Sequence, residues 1–139
     1  MRRIVTGVGA DGRSTVVSID EVEDIVVWEA DLRETPEWAV GQGKVMAFEP
    51  DHGWAKCMYM SVPPDSEAPS ANGMHFTRTV DLLYLFDPLI LVLEDGEVPI
   101  EAGDLVVQRG TVHDWRNPGP GPARVLGFMW AVGDPPPDS

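Results

Sequence analysis

The chain has 139 residues, 43% of them hydrophobic and five of them Trp, which suits one domain with a buried core and not a disordered chain. Its 23 acidic residues outnumber 10 basic ones, and the net charge of −13 argues against nucleic acid and anionic membranes as partners. The single cysteine, Cys57, leaves no pair for an internal disulfide.

The N-terminal MRRIVTGV carries two Arg with no apolar region behind them, so it does not read as a signal peptide. The 14 Gly and 13 Pro are spread as punctuation. Turn signals fall at ADG (10–12), PDHG (50–53), VPP (62–64), EDG (94–96), AGD (102–104) and NPGPGP (117–122). Between them lie runs rich in β-branched and aromatic residues: TVVS (15–18), DIVVWEA (24–30), KVMAF (44–48), WAKCMYMSV (54–62), LLYLF (82–86), LILVLE (89–94), DLVVQ (104–108) and ARVLGFMWAV (123–132). The one helix candidate is TPEWAV, with Thr35 as N-cap and Pro36 at the first helical position.

The longest apolar stretch, LLYLFDPLILVL, is broken by Asp87 and Pro88 and is too short to span a bilayer. A cytoplasmic protein is the expectation. Many short strands with almost no helix predict an all-β protein, an antiparallel sandwich, jelly roll or barrel of six or more strands. The last run is apolar on both alternating faces, with Leu126, Phe128 and Trp130 on one and Val125, Met129 and Ala131 on the other. Burial on both faces follows, as in a two-layer barrel or at a subunit contact. Residues 1–132 read as a single domain and GDPPPDS (133–139) as a disordered Pro-rich tail.

The chemistry concentrates in two segments. In GMHFTRTVDLLYLF, His75 precedes Asp81 by six residues at the lip of an apolar run. A straight strand would hold them roughly 20 Å apart, so they meet only if the chain bends near Thr77, Arg78 and Thr79. His113, after the Arg109-Gly110 turn, is the candidate third member. Two histidines and one carboxylate with open positions suit Fe(II), and also Mn, Ni or Zn. The plainer alternative is that His75 and Asp81 are ordinary turn and strand-edge residues. His52, in the PDHG turn, reads as a surface residue, and the acidic DEVED (20–24) as a solvated face. Cys57 reads as a small buried hydrophobe, and Asn117 as a structural residue ending a strand.

These segments resemble the two motifs of the cupins. His75 matches the first histidine of the first motif, Asp81 stands at its glutamate, and Pro88 replaces its closing glycine. Gly103, Gly110, His113 and Asn117 match the second motif, with Gln108 in place of its proline. Thr77 stands where a second histidine is usual, leaving three of four ligands. Arg78 stands where small bacterial relatives keep an acidic residue. That departure either weakens a metal site or makes Arg78 a substrate anchor.

The resemblance implies a cupin-type antiparallel β-barrel, or double-stranded β-helix, acting on a small molecule in bacterial secondary metabolism of the polyketide type. His75, His113 and Arg78 are the expected catalytic residues, and His75, Asp81 and His113 the expected metal ligands. Arg78, Tyr59, Trp115, Phe128 and Trp130 are expected at the substrate. The chemistry it suggests is decarboxylation, dehydration, isomerisation or ring closure, assisted by a single divalent metal or by none. A dioxygenase and a metal-free binding protein are the rival readings. A homodimer is expected, since cupins are commonly dimers and the last strand is apolar on both faces.

Overall fold

A computed structural model describes residues 1–32, 49–51, 53–68 and 73–132. Among these there are nine strands and no helix: β1 (Arg2–Val8), β2 (Ser14–Glu21), β3 (Ala55–Val62), β4 (Thr79–Leu85), β5 (Leu89–Leu93), β6 (Gly96–Ile100), β7 (Leu105–Arg109), β8 (His113–Arg116) and β9 (Ala123–Ala131). The expected helix at 35–40, the run 44–48, His52 and the tail at 133–139 lie outside the described residues.

Two sheets form. The larger has the order β2-β1-β7-β4-β9-β3 and the smaller β6-β5-β8. Among the described residues both sheets are open and do not close into the expected barrel. Pairing is antiparallel except between β1 and β7, where Arg3, Ile4 and Val5 lie beside Leu105, Val106 and Val107 in parallel.

Turn chemistry places the strand ends. β5 and β6 join through Glu94 and Asp95 into Gly96, whose φ of +133° is open to glycine alone. β6 and β8 were not among the sequence runs. β6 contains Pro99, which cannot donate to a ladder and is tolerated because β6 is an edge. β8 is only four residues long and polar, HDWR, so no apolar run marks it.

The expected strand at 24–30 is irregular backbone. Arg3 donates to the carbonyl of Val27 at 2.9 Å, and Val27 and Trp28 lie against the outer face of the large sheet. Those residues are apolar because they cover a sheet, not because they extend one.

The main core lies between the sheets. Leu83 and Leu85 of β4, Val106 of β7 and Val125 of β9 meet Leu89, Leu91 and Leu93 of β5, all buried. Each such side chain contributes roughly 1.5–3 kcal/mol by leaving water. A second cluster, Val5, Val80, Leu105, Val107 and Val132, sits on the other face of the large sheet under Val27, Trp28 and Leu32.

Period-two alternation decides which residues face the interior. On β3 the even residues Met58, Met60 and Val62 face inward, which leaves Cys57 exposed and not buried as expected. On β9 Val125 and Met129 are buried while Phe128 is 40% exposed. The last strand is therefore buried on one face and half-open on the other. No helix among the described residues is long and apolar enough to cross a membrane.

Candidate functional site

One end of the inter-sheet space stays open as a cavity of about 90 Å3. At ~10–15 Å3 per water in this measure, it holds a handful of waters or a small organic group. Met58, Met60, Val62, Leu83, Leu89 and Met129 form apolar walls, and Trp115 adds an aromatic side. The polar groups are His75, Thr77, Asp81, Gln108 and His113.

Local structure explains how these groups arrive together. The chain bends at Arg78 before β4 begins, so His75 and Asp81 line the same cavity despite their spacing. His75 is held to β8 by two backbone bonds: its N–H donates to the carbonyl of His113 at 2.9 Å, and the His113 N–H returns to the carbonyl of His75 at 2.8 Å. This bridge ties the segment leading into β4 to an edge of the smaller sheet. It sets the two imidazoles edge to face, with ring centres 4.5 Å apart and planes at 62°.

Each imidazole is oriented alike. His75 Nδ1 lies 2.8 Å from the carbonyl oxygen of Gly73, and His113 Nδ1 lies 2.7 Å from that of Thr111. A carbonyl only accepts, so Nδ1 carries a hydrogen on both rings and Nε2 is the ring atom left for other partners.

The His113 lone pair is engaged. Gln108 Nε2 donates to it at 3.0 Å and to Asp81 Oδ2 at 3.2 Å, so one amide group links the histidine to the carboxylate. Both neighbours are acceptors, which turns the amide nitrogen toward them. Asp81 Oδ1 receives the Thr79 hydroxyl at 2.5 Å, and with that proton committed Thr79 accepts from Thr77 at 2.6 Å. Gln108 Oε1 is buried with no hydrogen-bond partner among the described residues.

Burial dominates the electrostatics. It lifts the Asp81 carboxyl to about 7, against the lowering effect of its bonds from Thr79 and Gln108, with the negative charge of Glu49 adding to the rise. It lowers His113 to about 4, aided by the proximity of His75 and opposed by the bond to Thr111. At neutral pH His113 is therefore an uncharged base.

The remaining expected residues lie elsewhere. Arg78 does not line the cavity. Its guanidinium, on a side chain 43% exposed, donates to Glu49 Oε1 at 2.8 Å, and its backbone N–H donates to Glu49 Oε2. Tyr59, Phe128 and Trp130 alternate with cavity residues and so point the other way. Phe128 stacks on Trp130, and Tyr59 packs edge-on against Phe86. Of the four expected aromatics, Trp115 alone lines the cavity. Asn117 closes the 117–121 turn, donating to the carbonyls of Val62 and Gly121 at 2.9 Å each.

Gln108 is the site residue that sequence reasoning passed over, noticed only as a substitution for proline in a motif. A glutamine directly after the apolar run LVV of β7 was the available signal.

Backbone-bonded Nδ1–H groups are how metal-bound imidazoles are usually held. The carboxylate does not complete such a set. Both Asp81 oxygens already take protein hydrogens, and the Gln108 amide group links Asp81 to His113. Among the described residues, no three His, Cys, Asp or Glu side chains are placed to hold an ion. Compared with known protein families and with curated proteins, the chain matches none.

Proposed function

We propose that this protein binds a small oxygenated organic molecule between its sheets and acts on it by proton transfer, in a lyase, cyclase or isomerase-type step. One observation carries the reading: two imidazoles, each oriented by a backbone carbonyl at Nδ1, border an apolar cavity beside a buried carboxyl group. An imidazole in its neutral form, set in an apolar pocket, removes a proton from carbon next to a carbonyl, or from a hydroxyl, and returns it elsewhere. His75 is the stronger candidate base, because the His113 lone pair is already taken by Gln108. The apolar walls hold the body of the substrate, and the polar cluster meets its oxygens. Two facing sheets with an interior site also support a cupin-type jelly roll as the finer description of the fold.

A non-catalytic binding protein is the second reading. It is favoured by the Asp81-Gln108-His113 linkage, which commits those groups to one another. One experiment separates the two. Enolisable β-dicarbonyl and hydroxyaromatic ketone probes, incubated with the protein in deuterated water, are followed by proton NMR. Catalysed exchange at the acidic carbon that disappears in His75→Ala supports the enzyme. Saturable binding with no exchange supports the binding protein, and neither exchange nor binding refutes both.

A further inference from the structure

We infer that Gln108 stands in for a cation: its amide group bridges the two acceptors that would share an ion, so the site works in metal-free form. This inference rests on the cavity being a small-molecule site.

The contacts make the case. An ion shared by a histidine nitrogen and a carboxylate oxygen lies about 2.0–2.2 Å from each. Here His113 Nε2 and Asp81 Oδ2 share the Gln108 amide nitrogen instead, at 3.0 and 3.2 Å, each receiving one of its two hydrogens. Those hydrogens place positive charge where a cation's would fall, so the two acceptors are satisfied without one. A primary amide nitrogen has no lone pair to offer a metal. The side chain is also confined, since Gln108 is 2% exposed and sits on β7 between β1 and β4.

The far end of Asp81 is closed in the same manner by Thr79, whose hydroxyl hydrogen-bonds Oδ1 at 2.5 Å. Turning the carboxamide over would set Oε1 against a carboxylate oxygen and an imidazole lone pair, three acceptors together. The observed orientation avoids that repulsion, at the cost of leaving Oε1 without a partner among the described residues.

The test reads metal alone and needs no substrate. Metal-stripped full-length protein is incubated with Zn2+, Mn2+ or Co2+, freed of excess by gel filtration and analysed for metal content. The Co2+ samples are also examined for visible d–d bands. The wild-type chain is expected to retain far less than one ion and to show no cobalt bands. Gln108→Glu and Gln108→His each replace the bridging donor with a ligand. Each is expected to retain about one ion per chain, lost again when His113→Ala is added.

Stoichiometric retention by the wild type, abolished by His113→Ala, would overturn the inference. So would Gln108→Glu and Gln108→His chains that fold by circular dichroism yet retain no ion. Failure of the proton-exchange assay leaves this result unaffected, and the two ideas therefore fail separately.

Discussion

His75 and His113 face each other as a near-symmetric pair. They exchange backbone hydrogen bonds of 2.9 and 2.8 Å, and each ring bonds the carbonyl two residues before it. The symmetry ends at Nε2. Gln108 donates to His113, and no such bond reaches His75 from the described residues. Removal of the two rings should therefore differ in effect. His113→Ala strands a buried Gln108 N–H, which costs about 1–3 kcal/mol, or several degrees in Tm. His75→Ala leaves no comparable group and should move Tm by less. Thermal unfolding of both variants checks this, and a larger drop in His75→Ala would contradict it.

The pH dependence of stability should show two opposed contributions. Asp81 is raised to about 7 in the folded chain, against roughly 3.9 when unfolded. Between those values the folded state holds a proton that the unfolded state has released, so stability falls as pH rises. His113 is lowered to about 4, against roughly 6.5 unfolded. Between these the unfolded state holds the extra proton, so stability falls as pH drops. Each slope approaches about 1.4 kcal/mol per pH unit, and over roughly pH 4 to 6.5 they cancel. Relative to wild type, Asp81→Asn should gain stability with rising pH in this window, and His113→Gln should lose it. Urea midpoints at three pH values measure both slopes. Slopes of the same sign would show that one of the two assignments is wrong.

Arg78 should matter little to the ligand. The motif comparison offers it as a substrate anchor or as a residue that weakens a metal site, but its guanidinium is committed to Glu49 on a half-exposed side chain. The pair is open only on the arginine side: the Glu49 side chain is 11% exposed, so removing Arg78 leaves a largely buried carboxylate without its cation. Arg78→Ala should leave ligand affinity within about threefold while lowering Tm, because Glu49 loses its partner. Isothermal titration with whichever probe the exchange assay identifies decides the point, and a tenfold loss would restore Arg78 to the site.

The aromatic residues should divide by strand face. Trp115→Ala removes a cavity wall and should weaken ligand binding by roughly tenfold or more. Tyr59→Ala and Phe128→Ala remove side chains 65% and 40% exposed on the opposite face. They should leave affinity unchanged while reducing exposed apolar area. Equal losses in all three would mean that the ligand is bound on the outer face.

Much of this was legible in the sequence. Glycine and proline turns set the strand breaks, because a positive φ, as at Gly96, or a missing N–H is a local constraint. Alternation in AKCMYMSV separates Met58 and Met60 from Tyr59, because successive side chains leave a strand on opposite sides. The segments bearing His75, Asp81 and His113 stood out because polar, titratable groups there border apolar runs.

Tertiary structure decided the rest. Alternation says that Tyr59 and Met60 part company, but not which of them faces the second sheet. That depends on which side β5 and β8 close over. The irregular 24–30 segment and the parallel β1–β7 pair depend likewise on partners remote in sequence. Gln108 acquires its role from Asp81, 27 residues away, and Arg78 loses its expected one to Glu49, 29 residues away. Hydrogen bonds between distant residues leave no periodicity in the chain, and their geometry exists only once the sheets have packed.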